Sequence, residues 1–326
     1  MQAIVRADAT TWRTLVDVGC LVPYGDSADL ARFVPRVATG VEERGFGSLW
    51  LGEHTHLPVD TRYPDAGDKA LPERYRRFPD PWAVLAASAP LTSRIRLGTL
   101  VALVAEHKPL VLAKTIATVD RLSAGRVEVG VGYGWNPLEM MNNGIEPRRR
   151  RAHLRENIAA MRKLWTGEAV AHDGDVVRFT ESWSLPTPVQ PGGPRIHLGC
   201  SASERNLADL VTTADGFFPH RGLLSTDCAA DIARVRDAVD RSGRDPATVE
   251  IGIAYPGTSW GRADLEKFTR RLPSVEELQT LRELGVARVV CSIPAGPGDL
   301  FERSLDAWRE RADRARVLGG SDQVSA

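Results

Sequence analysis

The alternation of apolar and polar positions is clearest between residues 93 and 139. Ile95, Leu97, Thr99 and Val101 keep every second position apolar or β-branched, and from Leu100 the intervening positions turn apolar too. That is the pattern of a parallel strand covered on both faces. Pro109 then opens a helix, where its missing N–H costs little, and Leu112, Ile116 and Val119 share one helical face. Gly125 follows the last turn, where a left-handed cap favours glycine. Val127, Val129 and Val131 predict the next strand, and Gly132, Tyr133, Gly134 and Trp135 lead out of it. Two successive parallel strands with unusual ends set their loops side by side on one rim, where α/β proteins hold ligands.

The same alternation runs through the rest of the chain. Strands are predicted at 16–22 and 48–52, separated by a helix over 29–44 that Asp29 caps and Gly45 stops. Residues 57–81 form a long polar segment rich in proline, arginine and aspartate. Connections of that length inside a compact domain are usually functional, so this one is expected to fold over the rim. Helices follow at 81–89 and 148–165. Two short β patterns, 169–172 and 176–179, flank Asp173 and Gly174, a two-residue turn signal that predicts an inserted hairpin. Residues 186–194 cross in extended form. Strands at 196–199, 215–219, 249–254 and 288–293 then alternate with helices at 203–212, 226–241, 274–284 and 299–318. Eight strands alternating with helices predict an α/β fold, the (β/α)8 TIM barrel, with an inserted β-hairpin and a long rim loop. Residues 1–14 read as a leader, 15–318 as one domain and 319–326 as a frayed tail.

Composition narrows the partners. Lys+Arg and Asp+Glu are 42 each, which gives no electrostatic case for nucleic acid or an anionic membrane. No apolar run is long enough to span a bilayer. Cys20, Cys200, Cys228 and Cys291 are scattered without a C-x-x-C and read as free thiols. Arg6, Asp8 and Arg13 interrupt any signal-peptide core, so a cytoplasmic location is expected.

Candidate chemistry sits at the strand ends. Glu53 and His54 close the second strand; His54 could exchange a proton near neutrality, or the two could be a hydrogen-bonded pair that shapes the loop. His54 and His56 also resemble the paired histidines of metal-dependent hydrolase barrels. Of the other histidines only His220 stands at a strand end, and strand eight ends without a carboxylate, so no metal is expected. Leu100, Val101 and Ala102 offer an apolar surface suited to a flat ring, or simple burial. Gly132 and Gly134 allow close backbone approach, but without a third glycine and an acidic partner they are no dinucleotide fingerprint. Trp135 and Glu139 follow at the mouth. After Gly199 and Cys200, Ser201 and Glu204 fit a capping box, and the same helix start offers free N–H groups to a phosphate. Arg148–Arg151 is either a solvated helix start or a site for a polyanionic tail.

The order and spacing of residues 48–54, 94–99, His107 with Pro109, Leu112 with Lys114, 118–134 and 164–167 resemble the luciferase-like monooxygenase superfamily. The nearer likeness is to its deazaflavin-dependent (coenzyme F420) oxidoreductase branch. The resemblance implies a barrel, a homodimer, and a flavin or deazaflavin lying across the strand ends. It implies a non-prolyl cis peptide at Leu100–Val101 or Val101–Ala102, behind the ring. Gly132, Tyr133, Gly134 and Trp135 would line the ring edge, Gly199, Cys200 and Ser201 would contact ring and phosphate, and His54 would stand near the reactive carbon. Glu106 and Cys200 depart from the usual residues. The expected function is hydride transfer between F420 and a small organic substrate, with Glu53 or His54 handling the balancing proton. The alternatives are an FMN-dependent monooxygenase using O2 and a non-catalytic barrel that binds a flavin-type ligand.

Overall fold

A computed structural model describes residues 16–22, 29–61, 73–255, 264–294 and 298–315. The expected leader and tail, the middle of the long rim segment and Trp260 lie outside these residues.

Eight parallel strands close a barrel. In chain order they are β1 (Asp17–Leu21), β2 (Ser48–Leu51), β3 (Arg96–Ala102), β4 (Val127–Val131), then, after the hairpin β5 (Val170–Asp173) and β6 (Arg178–Ser182), β7 (Arg195–Leu198), β8 (Gly216–Phe217), β9 (Glu250–Tyr255) and β10 (Arg288–Ser292). Each barrel strand neighbours the next, and β10 returns to β1 with Asp17 opposite Arg288. Around it lie α1 (Leu30–Glu43), α2 (Pro81–Ser88), α3 (Pro109–Leu122), α4 (Pro137–Asn142), α5 (Arg150–Leu164), α6 (Glu204–Thr213), α7 (Cys228–Arg241), α8 (Leu265–Thr269), α9 (Val275–Glu283) and α10 (Leu300–Arg314).

The bore is filled in layers. At the amino ends of the strands, Arg288 donates to Asp17 at 2.7 Å, pairs with Glu128 and lies 3.4 Å from Glu250. Against the cost of burial, Arg288 and His197 hold the Glu128 carboxyl well below the usual range. Above this layer the rings of Trp50 and Phe218 meet edge to face at 5.0 Å. They fit because the neighbouring strands supply glycine: a Cβ on Gly98 would strike the Trp50 ring, and one on Gly252 would lie 2.7 Å from the Phe218 ring. Leu21 and Leu100 pack on top, at the carboxyl ends.

Two local expectations are corrected. The hairpin loop is four residues, 174–177, because the Glu156 carboxylate gathers the amides of Asp175, Val176 and Val177 at 3.1, 3.0 and 2.8 Å and pushes the second strand on to Arg178. The short helix α4 is an addition. Asn136 starts it by accepting from the Leu138 and Glu139 amides, which fixes Glu139 at the mouth.

Candidate active site

Three loops meet above Leu100: those after β2, β3 and β4. The peptide bond between Leu100 and Val101 is cis, at one of the two expected positions, and the β3–β4 register slips between Thr99 and Ala102. Val101 lies across the mouth between two glycines. A Cβ on Gly132 would be 2.6 Å from its Cγ2, and one on Gly199 would be 2.7 Å from its Cγ1. Glycine at these two positions is therefore required by Val101 itself, a reason the sequence did not offer. Leu100 and Val101 are half-buried, while Ala102 is buried.

His54 stands at the end of β2, its side chain 8% exposed, ringed by Tyr75, Phe78 and Trp135 at 5.9, 5.3 and 5.4 Å between centroids. Its Nδ1 lies 2.8 Å from Glu139 Oε2, and the indole N–H of Trp135 donates to its Nε2 at 3.3 Å. An indole only donates, so the neutral ring carries its proton on Nδ1 and gives it to Glu139. The other oxygen of Glu139 accepts from the Thr55 amide at 3.0 Å.

Glu53 is buried and turned away from this cluster. It accepts from the Leu103 amide at 2.6 Å and lies 2.9 Å from His107 Nε2. Burial works against charging His107, but the bond and charge of Glu53 outweigh it and raise the imidazole above its ordinary value. Glu106, in the same turn, is pushed up to about 7 by burial, against the Asn143 hydrogen bond, with the negative charges of Glu139 and Glu53 adding to the rise.

On the far side, Tyr133 donates to Asp209 at 2.7 Å and carries the Arg151 guanidinium over its ring at 4.0 Å. Arg151 pairs with Asp209 and bonds Asn206, whose amide donates to Ser201 O and Oγ at 3.0 Å each. The expected Ser201–Glu204 capping box is absent. α6 begins at Glu204 with Ser203 before it and no side-chain cap bond, because Asn206 has taken the Ser201 hydroxyl. Burial raises the Cys200 thiol to about 12, so it is a packing residue at neutral pH. Beside the start of α6, Arg148, Arg150, Arg151 and Arg205 line a cavity of about 330 Å³. Arg151 is compensated by Asp209, while Arg148, Arg150 and Arg205 have no ion pair among the described residues. The arginine run is thus partly structural, through Arg151, while Arg148 and Arg149 stay exposed at the helix start.

Residues 16–266 match the family described as luciferase-like monooxygenase. The chain belongs to the luciferase-like monooxygenase family. It is 40% identical over 263 residues to an uncharacterized protein of Mycobacterium tuberculosis, covering 79% of this chain and 86% of that one. It is 28% identical over 281 residues to the F420-dependent glucose-6-phosphate dehydrogenase of Segniliparus rotundus, covering 80% of this chain and 78% of that enzyme. Among solved structures, monooxygenase RslO1 from Streptomyces bottropensis superposes with a TM-score of 0.70 at 22% identity, covering 91% of this chain and 98% of that one, which shows the shared fold.

In this luciferase-like barrel the structure brings His54, Leu100, Val101, Gly132, Gly134 and Trp135 to one mouth. It sets Tyr133, Cys200 and Ser201 into the support beside α6. Glu139, His107 and Asn143 complete the rim and were not singled out as reacting groups. Glu139 was readable only as a mouth residue, since its partner lies 85 positions away. His54, His56 and His220 form no metal-ligating group. Among the described residues the cluster with that capacity is Glu128, His197 and Glu250, where Arg288 already pairs with both carboxylates.

Proposed function

We propose that this protein is an oxidoreductase that transfers a hydride between the deazaflavin coenzyme F420 and a small organic substrate. The observation that carries the cofactor choice is the arginine cavity beside α6 and the Gly199–Ser201 loop. A flavin monophosphate brings about two negative charges. An oligoglutamate tail behind a phosphodiester brings more, and three arginines without ion pairs among the described residues match the larger load. The F420-dependent relative supports the same choice.

When bound, the deazaflavin supplies the hydride carrier. The chain's own residues do the rest. Leu100 and Val101 give an apolar floor at the strand ends, and Tyr75, Phe78 and Trp135 keep water from His54. Glu139 fixes the His54 tautomer, so Nε2 is the atom that takes or returns the proton balancing the hydride. The Trp135 indole must leave Nε2 before that exchange. Glu53 positions Leu103 and His107. A homodimer is part of the same reading, and sedimentation equilibrium checks it.

The test is titration of the purified protein with F420, with tail-truncated F420 and with FMN, in the wild type and in an Arg148→Gln/Arg150→Gln/Arg205→Gln variant. Full-length F420 should bind tightest and lose about tenfold in affinity in the variant and at high salt, while the truncated form barely changes. Tighter FMN binding, with oxygen consumed on turnover, would instead assign a flavin monooxygenase. Unchanged F420 binding in the variant removes the cavity from the cofactor site.

A further inference from the structure

Glu106 is a residue the proposed chemistry does not use, yet it touches both ends of the unit that carries Trp135 and Glu139. Its Oε1 stands against Gly134, where an added Cβ would lie 3.1 Å away, directly before Trp135. Its Oε2 accepts from Asn143 Nδ2 at 2.8 Å, just past the end of α4. The same Asn143 nitrogen reaches Thr55 Oγ1 at 3.3 Å. Thr55 gives its amide to Glu139 Oε1 at 3.0 Å and its hydroxyl to the same oxygen at 3.4 Å, and Glu139 holds His54. An unbroken chain of polar contacts therefore runs from Glu106 through Asn143, Thr55, Glu139 and His54 to the Trp135 indole.

We propose that Glu106 is a positioning residue whose gain or loss of a proton is transmitted through Asn143 and Thr55 to the Glu139–His54–Trp135 chain, setting whether the indole covers His54 Nε2. This rests on His54 being the working group of the site. As a carboxylate, Glu106 is acceptor only and holds one Asn143 hydrogen, leaving the other to orient the Thr55 hydroxyl toward Glu139. As a neutral acid it becomes a donor itself, the Asn143 amide is freed to turn, and the Thr55–Glu139 contact loses its fixed geometry. The charged groups facing Glu106 are Glu53 from the loop after β2, Glu139 from α4 and His107 from its own turn. The first two disfavour its charge and the third favours it, and with burial as the largest influence its carboxyl titrates at about 7. A group with that titration, three hydrogen bonds from the reacting histidine's partner, makes the mouth sensitive to pH in the neutral range.

The experiment follows the Trp135 indole N–H resonance of ligand-free 15N-labelled protein from about pH 5.5 to about pH 8.5, assigned with Trp135→Phe. It needs no cofactor, so its failure is separate from failure of the cofactor reading. In the wild type the resonance should show a titration step near pH 7. That step should be lost in Glu106→Gln, which keeps the size and an acceptor oxygen, and in Asn143→Leu, which cuts the path. The remaining indole signals, from eight tryptophans in all, report that each variant is folded. Superimposable wild-type and Glu106→Gln curves overturn the proposal, as does a step lost in Glu106→Gln but kept in Asn143→Leu.

Discussion

Replacing Gly132 by alanine tests why the mouth is built with glycine. The new Cβ would lie 2.6 Å from Val101 Cγ2 and 3.4 Å from Val101 Cβ. Gly132 does not have positive φ, so the cost is steric alone. Val101 is bounded on its other side as well, because its second methyl packs toward Gly199, where an added Cβ would meet it at 2.7 Å. Overpacking of this kind costs about 1–3 kcal/mol, and a wedged neighbour puts Gly132→Ala near the top of that range. In a Val101→Ala background the offending methyl is gone and the nearest atom of that side chain is Cβ at 3.4 Å, so the same substitution should cost under about 1 kcal/mol. The difference is a coupling of about 2 kcal/mol between two touching residues. Gly199→Ala should be only partly rescued, because Phe218 O at 3.2 Å and Val131 O at 3.5 Å are backbone atoms that stay in place. Thermal melts of the four proteins in each cycle measure this. At about 2 °C per kcal/mol for a chain of this size, Gly132→Ala should lower Tm by about 5 °C in the wild type and by under about 2 °C in the Val101→Ala background. Equal losses in both backgrounds would refute the packing account and leave close ligand approach as the reason for glycine.

Three further outcomes are expected. Arg288→Met removes the guanidinium shared by Asp17, Glu128 and Glu250 at the buried end of the bore, leaving Glu128 only Arg96 and His197, and should cost about 3–5 kcal/mol by thermal melt, more than Glu128→Gln, which leaves Arg288 two carboxylate partners. Glu42, despite partial burial, is held at about 2 against an ordinary 4.5 by the amides of Arg94, Ile95 and Ser93. A depressed carboxyl stabilises the fold above its unfolded value, so about 1–2 kcal/mol, after discount for solvent screening, should be lost as pH falls from about 4.5 to about 2, and Glu42→Gln should abolish that slope. His54→Ala should keep F420 binding within about threefold while hydride transfer, followed by deazaflavin absorbance, falls about 10²–10⁴-fold; unchanged transfer would remove His54 from the chemistry.

The barrel was legible because its strands keep alternate positions apolar or β-branched, as at Leu97, Thr99 and Val101 and at Val127, Val129 and Val131, and because helices between them keep their own period. His54 and Trp135 were legible as residues at strand ends. What stayed hidden depends on partners distant in sequence. Arg288 and Glu128 are 160 positions apart, and nothing in either segment announces an ion pair inside the bore. Local signals misled where a distant side chain outbid them. The spacing of Ser201 and Glu204 suits a capping box, but Asn206, itself held by Arg151, captures the serine. Asp173 and Gly174 suit a two-residue turn, but Glu156 lies beneath and takes three amides of a longer one.

Glu53 and Glu139 are alike in burial, and each spends one oxygen on a histidine and the other on a backbone amide. They are not equivalent, and amide isosteres separate them. In Glu139→Gln, the side-chain oxygen must stay on the Thr55 amide, so the NH2 group faces His54 Nδ1. That forces the His54 proton to Nε2, where it meets the indole N–H of Trp135 donor to donor. If the amide flips instead, its NH2 opposes the Thr55 N–H, so neither orientation keeps the Thr55, His54 and Trp135 bonds together. The variant therefore holds the wrong tautomer and displaces Trp135, and hydride transfer should fall about 10²–10⁴-fold with little loss of fold stability. Glu53→Gln makes the same demand on His107, lowering its proton affinity, but touches neither His54 nor Trp135. Its effect on transfer should stay below about tenfold and come through the Leu103 loop. Kinetics of the two variants beside the Trp135 indole resonance decide the matter. Equal losses, with the indole signal unmoved in Glu139→Gln, would mean that the acids act only as structural ties and that His54 is not tuned by Glu139.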